Sequence, residues 1–477
     1  MDEPCNYLII SDLHLRGGFD NPTEGLYHFD EEFADFLRYY RLHRGANRPW
    51  HLVIGGDFIE FLYITDRPDP KERLLQGCTF IESEYRYGAG TEAPKSRWKL
   101  DRILRTSHPQ LLLALARFVA EGNCVIVLRG NHDSEMFWPE VQDHFRRLIA
   151  EHHPVDVSYM TMKEAVAQRV QFPEWFLYVP DLLYVEHGCQ YDPFCSFQYF
   201  LNPVVPEHPT RIQMSIAELS IRYFTNQMKI MNAMAAENIK SVSEYIGWVL
   251  RGNIAMMPRL ARLYGGMVRR VLAKSGRPDP QADSIVRLEH ERRVAAVDGR
   301  YGLPQGTAAS VDAMRATPVM RYPFAMARFL AIDLIAGGLT LALAVAAVLI
   351  WYPARIGLLA LVVALAAVAL IGYIGALRFR RVTEAAQLYR TAEHLAQLFK
   401  VPYVVFGHSH GAGTWSLPGG STYINVGTWV PEGEAAYFVY FAAEGDGPAR
   451  TGRLWRWHKA KHEPEPFGEV TSNRGNQ

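Results

Sequence analysis

Residues 7–14 read Tyr7-Leu8-Ile9-Ile10-Ser11-Asp12-Leu13-His14, four apolar residues running directly into a carboxylate and an imidazole. A short unbroken apolar run suits a strand buried on both faces, and the polar cluster falls where that strand must end. The pattern recurs at His51 to Ile54 before Gly55-Gly56-Asp57, and at Val125 to Leu128 before Gly130-Asn131-His132-Asp133. It returns at Leu182 to Val185 before His187-Gly188, and at Tyr403 to Phe406 before Gly407-His408-Ser409-His410. Helical stretches, among them Phe29 to Leu42 and Trp98 to Ala120, separate these runs. Strand and helix therefore alternate, which predicts an α/β fold with its polar clusters on loops at strand ends, where open α/β sheets place their sites.

The clusters supply carboxylate, imidazole and side-chain amide ligands but no cysteine, a set that points to a two-metal hydrolytic site rather than a structural zinc. Taken singly each is a weak signal: Asn-His-Asp can cap a helix, and Gly-Asp can begin a turn. All five in order, each after a buried-strand pattern, form a strong one. No Walker-type phosphate loop and no Gly-x-Ser-x-Gly elbow accompanies them.

At 477 residues the chain predicts two or three structural units. Its 50 Lys and Arg balance its 50 Asp and Glu, so no global charge draws it onto nucleic acid, and none is expected as a partner. The five cysteines contain no CxxC pair and read as reduced thiols. Met1-Asp2-Glu3-Pro4 is acidic and the apolar run after it is short, which is not a signal peptide, so export by the usual route is not expected.

Between His187 and Gly407 the character changes. Phe194 to about Leu272 is rich in Met, aromatic and basic residues and reads as several helices. Tyr245 to Arg277 carries no Asp or Glu, and its apolar residues recur at roughly helical spacing. That describes a basic amphipathic helix, to be laid either on anionic lipid or on the protein core. Ser275 to Thr317 reads as a partly mobile linker. Phe329 to Tyr352 and Ile356 to Leu377 are each long enough to cross a bilayer as a helix, and only Pro353-Ala354-Arg355 links them, so a transmembrane hairpin is predicted. Arginines flanking both ends (Arg315, Arg321, Arg328; Arg378, Arg380, Arg381) place those flanks in the cytoplasm. The expected protein is thus a multi-pass protein of the cytoplasmic membrane, with the bilayer as a partner. The expected organisation is a catalytic core over 1–195 and 381–450, a helical insertion and linker over 196–325, the hairpin over 326–380 and a polar tail over 451–477.

The series Asp12-x-His14, Gly56-Asp57, Gly130-Asn131-His132-Asp133, His187-Gly188 and Gly407-His408-x-His410 resembles the calcineurin-like metallophosphoesterases, over about residues 5–195 and 395–440. Asn425-Val426-Gly427-Thr428-Trp429 is similar to that family's closing strand. The resemblance implies a two-sheet αββα sandwich, here with the helical insertion and the hairpin added. It implies one metal on Asp12, His14, Asp57 and His410 and a second on Asp57, Asn131, His187 and His408, with Asp57 bridging. It further implies in-line attack on phosphorus by a hydroxide shared between the ions. His132 takes the family's role beside the leaving oxygen, while Asp133 and Glu60 orient their neighbours. The ions implied are two divalent metals, manganese first, with iron or zinc also suited to these ligands.

Within the family, Ile-Ser-Asp-Leu-His-Leu and Gly56 to Phe61 are most similar to the UDP-2,3-diacylglucosamine pyrophosphatase branch. The members of that branch are shorter and lack a hairpin, and Cys189 stands here where the branch favours Asp. With the hairpin, this implies a lipid-linked phosphoester or pyrophosphate as substrate. The alternative is a membrane-tethered phosphodiesterase for soluble substrates such as nucleotides.

Overall fold

The computed structural model describes residues 5–17, 29–62, 77–227, 257–274, 279–322, 384–430, 435–443 and 451–468, together with Met326, Leu343, Ala346, Val363 and Ala366. The run at residues 7–10 belongs to the strand β1 (Asn6–Ile10), every residue of which is buried. Its residues alternate between two cores, as strand geometry requires: Tyr7 and Ile9 face one, Leu8 and Ile10 the other. The next two runs give β2 (Trp50–Ile54) and β3 (Cys124–Val127), parallel to β1 and split in the same way.

The fold is mixed α/β with several sheets. A seven-stranded sheet has the order β14-β13-β12-β1-β2-β3-β4. It is completed by β4 (Val170–Gln171) and by the late strands β12 (Ala435–Phe441), β13 (Gly452–His458) and β14 (Glu463–Pro466). A five-stranded sheet has the order β10-β11-β9-β6-β5. Its members are β5 (Leu177–Val179), β6 (Leu183–Val185), β9 (Tyr403–Phe406), β10 (Gly413–Ser416) and β11 (Thr422–Asn425). Ile9, Val53 and Ile126 from the first sheet share one core with Leu183, Val185, Val405 and Ile424 from the second, so the sheets pack face to face. Helices α1 (Asp30–Leu42), α2 (Pro109–Ala120), α3 (Pro139–Glu151) and α4 (Tyr159–Arg169) bury their apolar stripes on the outer face of the first sheet.

The outer face of the second sheet is covered by α6 (Pro280–Tyr301) and α7 (Glu384–Phe399). Helix α6 corrects the expectation of a linker over Ser275 to Thr317. Asp279 caps its start by accepting the Ala282 N–H at 3.0 Å, Pro280 occupies its first turn, and Gly302 ends it in the left-handed region. Val286, His290, Val294 and Val297 form the buried stripe that docks it. Composition pointed to a linker because Gly, Pro and charge dominate the segment, whereas the helix needs only this narrow stripe.

Two further expectations change. Residues 451–468, expected as part of a polar tail, supply the strand β13 and the edge strand β14. The helical reading of the insertion omits a hairpin of β7 (Val204–Val205) and β8 (His208–Ile212). The basic amphipathic helix is present as α5 (Met257–Lys274), and Leu260, Met267 and Val271 of its apolar stripe are buried against Ile216, Leu219 and Phe224. Of the two placements open to it, the stripe takes the core.

Among the described residues no helix is long and apolar enough to cross a membrane. The segments expected to form the hairpin lie outside the described residues, apart from Leu343, Ala346, Val363 and Ala366. The fold class is therefore corrected to mixed α/β with several sheets and, among the described residues, no transmembrane hairpin. The expected placement as a multi-pass protein of the cytoplasmic membrane, which rested on that hairpin, is corrected with it.

Candidate metal centre

In each sheet the central strands run parallel, β1 with β2 and β3 in one and β6 with β9 and β11 in the other. Their carboxyl ends deliver every polar cluster to one place. Asp12 and His14 follow β1, Asp57 follows β2, Asn131 and His132 follow β3, His187 follows β6, and His408 and His410 follow β9.

The loops are tightly wound. Asp12, His14, Asp57, His408 and His410 all have positive φ, between 44° and 65°, a conformation that costs a non-glycine residue free energy and recurs where a site over-determines the backbone. Close approach is paid for in side-chain size at two glycines. A Cβ on Gly130 would overlap the Asp57 carboxylate, and one on Gly407 would overlap Ser11 and Asp12. Backbone donors then lock the carboxylates: the His132 N–H donates to Asp57 Oδ1 at 2.8 Å and the His408 N–H to Asp12 Oδ2 at 3.1 Å.

Ligand atoms of Asp12, His14 and His410 lie within 4.8 Å of one another, as do those of His14, Asp57 and His132, and those of Asp57, His187 and His408. His410 Nε2 is 3.2 Å from Asp12 Oδ1, and His187 Nε2 is 3.1 Å from Asp57 Oδ2. Yet Asp12 Oδ1 and His187 Nε2, like Asn131 Oδ1, are buried with no aligned hydrogen-bond partner. Buried polar atoms normally find partners, and atoms that converge without bonding to each other are arranged as ligands around a shared centre. His187 Nδ1 is 3.0 Å from the Gly55 carbonyl, the contact that turns Nε2 inward as a donor atom. The donor set thus fits a metal ion, and Asp57 belongs to two of its groups.

The electrostatics agree with such a set. Burial pulls the His14 pKa down, but Asp12, Glu60 and the charge on Asp57 outweigh it and hold it up at about 10. Burial likewise opposes protonation of His187, and Asp57 with Asp12 holds it at about 9. Burial raises Asp57, but His187 and His132 keep it well below the usual carboxylate range. These imidazoles take up protons because anionic oxygens surround them, and a cation answers the same field.

Glu60 and Asp133 differ in what they touch. Glu60 Oε2 lies 2.5 Å from His132 Nδ1 and 3.1 Å from His14 Nδ1, so one buried carboxylate orients two site imidazoles. Asp133 accepts the Gly130 and Phe58 N–H groups at 2.6 and 2.9 Å, joining two ligand loops. Burial, with Asp57 nearby, raises its pKa to about 7.

The sequence reading missed Asp192, Cys195 and Glu384. His408 Nε2 lies 3.3 Å from Asp192 and 3.2 Å from Glu384, and Cys195 completes a further group of possible ligands with Asp192 and His408. Asp192 follows the His187-Gly188 pair by only a few residues, a weak signal. Glu384 opens α7, and nothing in its local sequence marks it.

No family model matches this chain, and no curated protein matches it.

Proposed function

We propose that this protein is a dinuclear metal-dependent hydrolase of phosphoester or pyrophosphate bonds, in the manner of the calcineurin-like metallophosphoesterases that its motifs resemble. The observation that carries the reading is the Asp57 carboxylate, shared between the donor group that includes His14 and the one that includes His187 and His408. Asp12, His14, Asp57 and His410 would hold one cation, and Asp57, Asn131, His187 and His408 the other. When bound, such a pair supplies Lewis acidity to water and to the phosphoryl oxygens.

The chain's own residues supply the rest. His132 is more exposed than the groups packed beside it, with its side chain 13% accessible against 2% or less for Asp57, His14 and Glu60. With Nδ1 held by Glu60, its Nε2 edge is left to donate a proton or hydrogen bond to a leaving oxygen. Glu60 fixes that orientation. The lipid-linked substrate expected from the sequence leaned on the transmembrane hairpin and is dropped with it, so the proposed substrate is a phosphoester or pyrophosphate without a stated lipid.

The test is turnover of p-nitrophenyl phosphate, bis-p-nitrophenyl phosphate and a nucleoside diphosphate sugar by the full-length protein with manganese, against Asp57→Asn. Turnover of at least one substrate that EDTA abolishes, manganese restores and Asp57→Asn lacks is expected. A wild-type protein loaded with two cations that cleaves none of these would overturn the reading.

A further inference from the structure

Arg129 follows the β3 run, and its guanidinium bonds the Phe200 carbonyl rather than a metal-centre donor. It is 6% exposed, yet among the described residues no carboxylate comes within 4.0 Å of its guanidinium. Its hydrogen bond goes to the Phe200 carbonyl at 2.5 Å, and its charge lies 4.3 Å from the Phe200 ring centroid and 5.5 Å from that of Phe137. A guanidinium has five N–H donors in a fixed fork, so most of that capacity is unspent here. Burial opposes this charge, and Asp133 and Glu174 favour it only from beyond ion-pair distance; a buried charge with no ion-pair partner is costly.

This guanidinium lines a cavity of about 40 Å³, with Arg293 from α6, Gln142 from α3 and Glu174 among the other walls. Arg293 lies 5.2 Å from the same Phe137 ring, so two cations share one aromatic wall. Glu174 pairs outward with Arg300 at 3.1 Å, and Glu289 holds Arg293 at Nε, 2.7 Å away, which leaves its terminal nitrogens to the cavity. The space would admit about three waters, or one small group with several oxygens. None of the proposed metal ligands lines it.

We infer that this cavity is a binding site for a small oxyanion, a phosphate or carboxylate group, held by the guanidinium forks of Arg129 and Arg293. Planar forks match both anions, and the amide of Gln142 adds a neutral wall. The site is separate from the metal centre and does not rest on the hydrolase reading.

Calorimetry on the full chain, stripped of metal with EDTA and dialysed, decides it with inorganic phosphate and acetate as probes. One anion should bind per chain in both wild type and Asp57→Asn, and Arg293→Gln should weaken it at least tenfold. Arg293 is 31% exposed, so that variant should keep the fold, which its unfolding temperature checks. Tighter phosphate than acetate assigns a phosphate group, and the reverse assigns a carboxylate. Absence of binding in stripped wild type, or equal affinity in folded Arg293→Gln, would overturn the inference.

Discussion

Glu384 places its carboxylate 3.2 Å from Nε2 of His408, tying the first turn of α7 to the loop that follows β9. Nε2 can serve that carboxylate and Asp192 while Nδ1 remains for a cation, and outer carboxylates of this kind orient metal-binding imidazoles. Glu384→Gln should therefore lower affinity for one of two cations by about 10- to 100-fold while leaving the unfolding temperature nearly unchanged. Titration with manganese followed by calorimetry would show it, and unaltered affinity at both sites would remove Glu384 from the centre.

Asp57 belongs to two of the donor groups, whereas Asp12 belongs to one. Asp57→Asn should thus reduce bound metal at both positions, and Asp12→Asn mainly at one. Elemental analysis after dialysis distinguishes these outcomes. Equal stoichiometry in the two variants would contradict a bridging role.

Metal loading should release protons. His14 at about 10 and His187 at about 9 are protonated at pH 7.5, and a cation must displace those protons to use the nitrogens. Affinity should rise with pH through the neutral range, and the calorimetric enthalpy should vary with the buffer's ionisation enthalpy. In protein stripped of metal the sign reverses. Both folded values lie above the ordinary histidine value of about 6.5, so their contribution to stability is fully present below that pH and is lost as pH rises through about 9 to 10. A buffer-independent enthalpy would show that the two imidazoles are already neutral.

His132→Gln should keep both cations and lower turnover by about 10² to 10⁴, the usual contribution of a general acid. The loss should be smaller for p-nitrophenyl esters, whose leaving group needs little protonation. A variant that loses metal instead would make His132 a ligand.

Lys99 and Glu135 form an ion pair at 2.6 Å with side chains 1% and 0% exposed. Lys99→Met alone strands a buried carboxylate and should cost about 3–5 kcal/mol. Adding Glu135→Leu should recover most of it. Urea unfolding of the three proteins measures this, and additive losses would mean that the pair is not the source.

Much of the fold was legible because its signals are local. Tyr403 to Phe406 is apolar at every position, and β9 occupies those four residues. Trp98 to Ala120 reads as one helical stretch, but the chain forms a helix to Leu100, a π turn over Asp101–Ser107 and α2 from Pro109, because proline can open a helix and not continue one. The strands β13 and β14 lack an unbroken apolar run: β13 buries only Leu454 and Trp457, and the edge strand β14 buries no residue.

By itself the sequence determined which residues end the buried strands, and therefore that Asp12, His14, Asp57, Asn131, His187, His408 and His410 share one edge of an α/β fold. A strand's burial is written into its own side chains, and a residue two to four positions past its end must travel with it. Only the tertiary structure decided that Glu60 serves two imidazoles, that Asp192 and Glu384 stand behind His408, and that Arg129 meets Arg293 across Phe137. Those contacts join segments whose separation in the chain carries no period, and packing of sheets and helices alone brings them within reach.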